Sequence, residues 1–526
     1  MMNHRRDRMP AALLAAALLA VALAAAAVSA GAQTAALDPD ELAALLADLE
    51  AQGGLLSSDD LALLEATREP DEPAPASAGP AARGQWLLAA DLRQTAPPRL
   101  EARLRRDDGW LRLGARVRQD EAEKQAIGWA QSGRSLWRMT AGTGSLGHGA
   151  GLLTAPLGAR ASLGIESSLL PPAPGWRPSL AATMPERLEG VDVFLAGSAG
   201  SLEAGAARDV ERRPVQYARL GWQGGQSVAL GVLGLRRDQA RAGGVDLRWE
   251  QGPWQLAAEV GAWRLQSGQT AQRAWFAAAA WRQRRVRAEF QAAGSRAVAG
   301  LPGARRPACL PGWLGDGWAW RLSARPATGY RVGLAGTVGE DREQRQAAGR
   351  TRRREVLILS VAGPWSERGT WEVRWRRQDE TSLAFDSLQP WLPAHVERRR
   401  SRTWLVLLVE RPLKVGTGQL AWRRLEEAGQ SRDLLGAGWQ LTTARVRWRA
   451  GWQAAWGDPL DLVTVSVPVS SLVRLRHWGT WENSLLAGCE GRGRWRWQVG
   501  GELRRRHRSA GGGLVAECRL QWGAVF

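Results

Sequence analysis

Along most of this chain apolar and polar residues alternate one by one. In "TWEVRWR", Trp371, Val373 and Trp375 stand opposite Glu372, Arg374 and Arg376. In "PWQLAAEVGA", Trp254, Leu256, Ala258, Val260 and Ala262 oppose Gln255, Glu259 and Gly261. In "ARVRWRAGWQ", Arg445, Arg447 and Arg449 face away from Val446, Trp448, Ala450 and Trp452. A period of two is that of a β-strand, whose successive residues point to opposite faces of a sheet. From Arg83 to Phe526 such segments, each about ten residues long, are separated by Gly, Pro, Asp, Ser or runs of charge. The pattern predicts roughly twenty or more strands and almost nothing with a 3.6-residue period.

The N-terminus departs from this rhythm. His4, Arg5, Arg6 and Arg8 precede an apolar run from Ala11 to Val28 that ends in small residues around Ala30 and Ala32. That is the layout of a secretory signal peptide, expected over residues 1–32. Within 37–68, Asp38-Pro39-Asp40-Glu41 supplies an N-cap, a first-turn proline and an acid three residues after the cap. Leu42, Leu45, Leu46 and Leu49 then form one stripe, and Gly53-Gly54 end it. A second start at Ser57, Ser58 and Asp59 completes a short helical hairpin, too small to hold a core alone. The stretch "EPDEPAPASAGPAA", residues 69–82, has four prolines and no large apolar residue, which is linker composition. The strand-rich domain is expected over 83–526.

No later stretch reaches the ~18 apolar residues of a spanning helix, so any membrane crossing must use strands. A soluble sandwich also alternates, but seldom needs so many strands in one unit. A propeller would show a repeat of roughly 40 to 50 residues, and none is present. A transmembrane barrel reads as this chain does, with short amphipathic segments and aromatics near both interfaces. The 29 tryptophans, against two tyrosines and five phenylalanines, agree with that reading. Trp86, Trp110, Trp371, Trp404, Trp478 and Trp481 sit near segment ends, where an indole suits the headgroup layer.

The last strand carries a resemblance. Leu514, Ala516, Cys518, Leu520, Trp522, Ala524 and Phe526 share one face, opposite Val515, Glu517, Arg519, Gln521, Gly523 and Val525. With the signal peptide and the amphipathic strands before it, this ending resembles bacterial outer-membrane β-barrel proteins. The resemblance implies an all-β fold, a large antiparallel transmembrane barrel preceded by a short acidic helical hairpin. It also implies a Gram-negative outer membrane, contact with its lipid, and Trp522 and Phe526 as the signal read by the barrel-assembly machinery. More faintly, "LGHGAGLL", Leu146 to Leu153, is similar to a glycine-rich stretch of barrel proteins that carry helix-hairpin-helix segments, with Ala150 interrupting the pattern.

Charge refines the functional expectation. The formal net charge is +19, yet residues 37–72 hold eleven acids and one arginine, so the strand-rich part is strongly basic. A nucleic-acid surface would need arginine and tryptophan on one face, and alternation puts them on opposite faces. Arginines on the inner face of a barrel meet water and favour anionic solutes. Arg374, Arg376, Arg445, Arg447 and Arg449 are therefore the lumen-facing candidates, in a channel or envelope scaffold. The alternative is a secreted or periplasmic soluble β-rich protein that binds polyanions.

Chemistry of other kinds finds little support. "GTGSLG", Gly142 to Gly147, satisfies G-x-G-x-x-G, but further glycines and a proline follow where a dinucleotide site needs a helix. Ser145 and His148 lack an acid and a nucleophile elbow. With five histidines scattered and three cysteines, Cys309, Cys489 and Cys518, no metal cluster, cofactor or catalytic site is expected. Cys489 and Cys518 are expected on strands separated by one other, about 9.5 Å apart, beyond disulfide reach.

Overall fold

The computed structural model describes residues 83–525 apart from connecting stretches, the longest being 154–174, 179–186, 298–308, 386–394 and 507–513. The signal, hairpin and linker expectations for 1–82 lie outside the described residues, as do Arg445 and Phe526.

Every regular element among the described residues is a strand, and the alternation found in the sequence is what each one buries. The chain begins with β1 (Arg83–Arg93), β2 (Ala96–Asp107), β3 (Leu111–Gln119), β4 (Lys124–Arg134), β5 (Trp137–Gly147) and the short β6 (Gly175–Pro178). It continues with β7 (Leu188–Ala196), β8 (Gly200–Asp209), β9 (Pro214–Gly224), β10 (Val228–Arg237), β11 (Ala240–Gln251), β12 (Trp254–Arg264), β13 (Gln272–Arg282), β14 (Val286–Arg296) and β15 (Leu314–Ala324). Next come β16 (Arg331–Glu343), β17 (Arg350–Pro364), β18 (Thr370–Phe385), β19 (His395–Pro412), β20 (Thr417–Glu427), β21 (Gln430–Thr442) and β22 (Val446–Gly457). The hairpin β23 (Leu462–Val469) and β24 (Leu472–Trp478) precedes β25 (Glu482–Gly491), β26 (Trp495–Arg506) and β27 (Leu514–Val525).

β6 and the β23–β24 hairpin apart, each strand pairs antiparallel with the next, and β27 returns to β1 from Gln85↔Val525 to Arg93↔Glu517. The sheet is therefore closed, which removes the exposed edges that an open sheet of this size would present. Setting aside β6 and the separate β23–β24 hairpin, twenty-four strands among the described residues form the ring. An even number of antiparallel strands lets β1 and β27 meet antiparallel. β6 extends the seam above β7, since β5 pairs with β7 from Trp137 to Gly144 and with β6 from Gly144 to Gly147. Cys489 on β25 and Cys518 on β27 are separated by β26, as expected.

Following the chain around the ring separates two rims. The connections on one rim are short, the longest being residues 325–330, and both β1 and β27 have their outer ends there. On the other rim lie the long connections 148–187, 297–313, 386–394 and 458–481. We call these the turn rim and the loop rim.

The outer face carries an apolar row. Leu202, Leu220, Val232, Val245, Val260 and Trp275 are direct cross-strand neighbours from β8 to β13, and all are exposed. Leu220 and Val260 are the most open of the row, at 62% and 61% exposure. Soluble monomers rarely expose an apolar patch beyond a few hundred Å², whereas a lipid-facing wall requires one.

Exposed tryptophans gather at the turn rim, at Trp110, Trp137, Trp222, Trp254 and Trp365. A sparser set, Trp275, Trp318 and Trp481, lies toward the loop rim. Of the tryptophans assigned to interfaces from the sequence, Trp110 and Trp481 are exposed at the rims and Trp371 opens β18 at the turn rim. Trp404 and Trp478 are corrections, at 5% and 3% exposure. β19 is unusually long, so Trp404 falls mid-strand on the inward parity. Trp478 ends the β23–β24 hairpin and packs inside the ring against Trp404, Leu425, Leu434, Ala455 and Leu460.

Candidate functional site

The inner wall divides into two arcs. Over β7–β15 the inward positions carry Asp192, Glu203, Asp246, Glu259 and Glu289, all buried. A buried carboxylate is costly unless it is paired and hydrogen-bonded, and each of these has partners. The Tyr217 hydroxyl donates to Asp192 Oδ1 at 2.6 Å, and Arg219 Nη2 donates to Asp246 Oδ1 at 2.9 Å. Glu289 is met by Arg282 and Arg321, each at 3.3 Å, and by Arg287.

Two of these acids hold main chain rather than side chains. The Leu152 N–H donates to Glu259 Oε2 at 3.3 Å, and the Trp176 N–H donates to Glu203 Oε1 at 2.7 Å. Both donors lie between β5 and β7 in sequence, and both are held on the inner side of the wall. Leu152, Leu153 and Trp176 join inward wall residues such as Leu233, Trp263 and Phe276 in one apolar cluster, together with Cys309 and Leu310 from the connection between β14 and β15. Trp176 stacks on Tyr217 with ring centroids 6.4 Å apart.

Glycine makes the seat. Gly244 and Gly261 are cross-strand partners on the inner face, and a Cβ at either would lie 2.8 to 2.9 Å from the Leu153 side chain. Any larger residue there would evict Leu153 or move the wall. Burial also pushes the Cys309 thiol up to about 12.

Over β17–β22 the buried inward positions include Arg374, Arg376, Arg423, Arg432 and Arg449. Arg374 and Arg376 lie on the buried parity of β18, opposite Trp371, Val373 and Trp375. Arg374 Nη2 donates to Glu372 Oε1 at 2.9 Å, and the Arg376 guanidinium stands 5.0 Å over the Trp404 ring. On β22, Arg447 and Arg449 both approach Glu490 of β25 at 3.6 Å. This arc holds an inserted segment as well. Arg432 donates from Nη1 to the Trp478 carbonyl at 2.8 Å and to the Leu460 carbonyl, clasping both ends of the segment that contains the β23–β24 hairpin.

The sequence thus placed four arginines on one parity, and the structure sets Arg374 on Glu372, Arg376 over Trp404, and Arg447 and Arg449 on Glu490. β27 pairs through Trp522 with Leu88 and Trp497 in backbone register. Ser145 is buried in β5, and the G-x-G-x-x-G run is strand. Gly142 has φ +113°, and a Cβ there would lie 2.2 Å from the Gly128 carbonyl oxygen, which accounts for that glycine without a phosphate. Among the described residues no group of three or more His, Cys, Asp or Glu side chains is placed to hold a metal.

Glu203, Glu259 and Arg432 were missed as anchors. The available signal was a single charge at an inward position in otherwise apolar strands, and nothing local says that its partner is main chain some 107 residues away, as for Glu259 and Leu152.

No known protein family and no curated protein matches the chain in sequence. Among solved structures it is similar to the translocation pore of the P pilus usher PapC, at 9% identity and TM-score 0.41, covering 85% of this chain and 99% of that one. It is similar to an E. coli P pilus tip assembly intermediate, PapC-PapD-PapK-PapG, at 12% identity and TM-score 0.48, covering 86% and 62%. It is also similar to the outer membrane protein OprD from Pseudomonas aeruginosa, at 11% identity and TM-score 0.35, covering 57% and 88%.

Proposed function

We propose that this chain is a non-enzymatic outer-membrane barrel of a Gram-negative bacterium that provides a conduit favouring anionic solutes. One observation carries the reading: a closed wall with an exposed apolar row outside, from β8 to β13, and buried charge inside. Hydrocarbon accepts no unpaired backbone, and a closed antiparallel ring leaves none at its edges. Bacterial barrels keep short turns on the periplasmic side and long loops outside, so the turn rim is assigned to the periplasm. The terminal strand, with Trp522 and Phe526, serves the assembly machinery in this reading.

Selectivity follows from the arginine arc. Arg374, Arg376, Arg447 and Arg449, joined by Arg445 at the same sequence parity, raise the local concentration of anions along one side of the lumen. The inserted segments on both arcs narrow the path. The test is a reversal potential in planar bilayers across a KCl gradient, in which anion preference is expected. Substituting Arg374→Glu with Arg449→Glu should move it toward cations. Cation preference in the unaltered protein rejects the anionic part. A chain that purifies without detergent and shows no heat-dependent gel shift rejects the membrane part.

A further inference from the structure

Arginines on the outer wall near the loop rim come in two kinds. On the outward parity of β17, β18 and β20, Arg353 meets Glu355 at 2.6 Å, Arg377 meets Asp379 at 2.8 Å and Arg424 meets Glu426 at 2.7 Å. Each of those acids lies two residues along the same strand, so the charge is neutralised in place. On β10–β13 the outward Arg236, Arg241, Arg264 and Arg273 are exposed, and among the described residues none of them forms an ion pair. Arg236 Nε donates at 3.5 Å to the Asp238 carbonyl, which leaves its charge unmatched.

We propose that these four arginines form a seat for the phosphate groups of an outer-leaflet lipid. The proposal rests on the outer-membrane reading, with the loop rim outside, for the source of the phosphate.

Register is the first argument. Arg236 stands directly opposite Arg241, and Arg241 directly opposite Arg264. Arg273 pairs with Ala262, one outward position below Arg264. Like charges directly opposite one another destabilise a sheet, so three in a row call for an anion from outside the wall. The two connections that join these strands at the loop rim, 238–239 and 265–271, contain a single acid, Asp238, and that acid acts on Arg213. The run is bounded by outward acids, Glu189 on β7 and Asp316 on β15.

Depth is the second. β12 runs from Trp254 to Arg264, and between them the outward residues Leu256, Ala258, Val260 and Ala262 are all apolar. Those ten steps cover about 33 Å of strand. At a tilt of about 40° this is about 25 Å in height, the thickness of the apolar band of a membrane barrel. With Trp254 at one interface, Arg264 and its neighbours stand at the other, level with lipid headgroups.

Chemistry is the third. A guanidinium binds phosphate through two parallel N–H bonds, and one phosphate has oxygens enough to bridge adjacent arginines. The four arginines span three ring steps, about 14 Å of wall at 4.8 Å per step.

The experiment uses the full chain in phosphatidylcholine nanodiscs doped with lipid A, either phosphorylated or dephosphorylated. After extraction into mild detergent, native mass spectrometry counts the glycolipid retained. The unaltered chain should keep the phosphorylated form several-fold better than the dephosphorylated one. Arg241→Gln with Arg264→Gln and Arg273→Gln should abolish that preference, whereas Arg353→Gln with Arg377→Gln and Arg424→Gln should preserve it. A heat-shift gel verifies that each variant is a folded barrel.

Equal retention of the two glycolipids by the unaltered, heat-shifting chain overturns the seat while leaving the barrel standing. So does a preference that survives in the folded β11–β13 variant. Inorganic phosphate bound in detergent by a chain that retains no lipid A reduces the site to a free-anion site and overturns the lipid assignment. A chain with no heat shift that purifies without detergent overturns the membrane reading itself.

Discussion

The two arcs of the inner wall hold inserted main chain with one geometry and with anchors of opposite charge. On β7–β15 carboxylates accept from the N–H groups of an inserted segment, and on β21 a guanidinium donates to the carbonyls of another. A carboxylate can only accept and a guanidinium can only donate, so the sign of the wall selects which half of the peptide group it holds. The arcs then diverge. The acidic arc is backed by a large apolar cluster that includes Leu152, Leu153, Trp176, Cys309 and Leu310. The arginine arc holds its insert against the smaller cluster of Trp404, Leu425, Leu434 and Ala455. Apolar packing seals, whereas a row of charges invites solutes.

Breaking the acidic arc should have the largest effect. Leu153→Asp puts a carboxylate between Gly244 and Gly261, in a seat where even Leu→Ala typically costs about 2 to 5 kcal/mol and an unpaired charge costs more. The insert is expected to leave, with conductance rising several-fold while the heat-shift gel still shows a barrel. Unchanged current would mean that this insert does not close the path.

The next test asks whether the outer faces are as alike as the inner faces are different. Val260→Arg behind the acidic arc and Leu407→Arg behind the arginine arc both place a charge on the exposed apolar parity. Each should destabilise the barrel in liposomes by about 2 to 4 kcal/mol, measured by urea unfolding. Equal small effects would argue that these faces meet water.

Arg432→Met probes the other anchor. It leaves the Leu460 and Trp478 carbonyls unsatisfied, at about 1 to 3 kcal/mol for each group that stays buried. Faster trypsin cleavage at Arg474 and Arg476 is the expected outcome, with no change at the acidic arc. Cleavage at the original rate would show that the apolar contacts of Trp478 suffice.

The mildest test is chemical. With its thiol raised to about 12 by burial, Cys309 stays protonated at pH 8, where the reactive thiolate is scarce. Maleimide should not label it in the native protein, using Cys309→Ser as the control, and should label it in Leu153→Asp. Prompt native labelling would contradict the packed cluster.

Much of the architecture was legible in the alternation. Trp254, Leu256 and Val260 lie outward and Gln255 and Glu259 inward, as their parity requires, because a strand has two faces and a barrel gives them unlike solvents. Parity failed where a tryptophan's depth mattered. Trp404 sits in register with Arg376 and Leu425, and its inward parity follows from that pairing rather than from its place near a segment end. The two inserts were illegible for a different reason. "LGHGAGLL" reads as a loop rich in glycine, and its Leu152 and Leu153 become core only because Gly244, Gly261 and Glu259, on strands distant in sequence, converge beneath them.

The sequence by itself determined the strand period, the two-faced wall and the separation of tryptophan from arginine, since these depend only on the local geometry of an extended chain. Tertiary structure alone decided the closure of β27 on β1, the gathering of tryptophans at one rim, and the seating of Leu152, Leu153, Trp176 and Trp478 inside the ring. Those depend on which residues become neighbours across many strands, and a period of two carries no information about that.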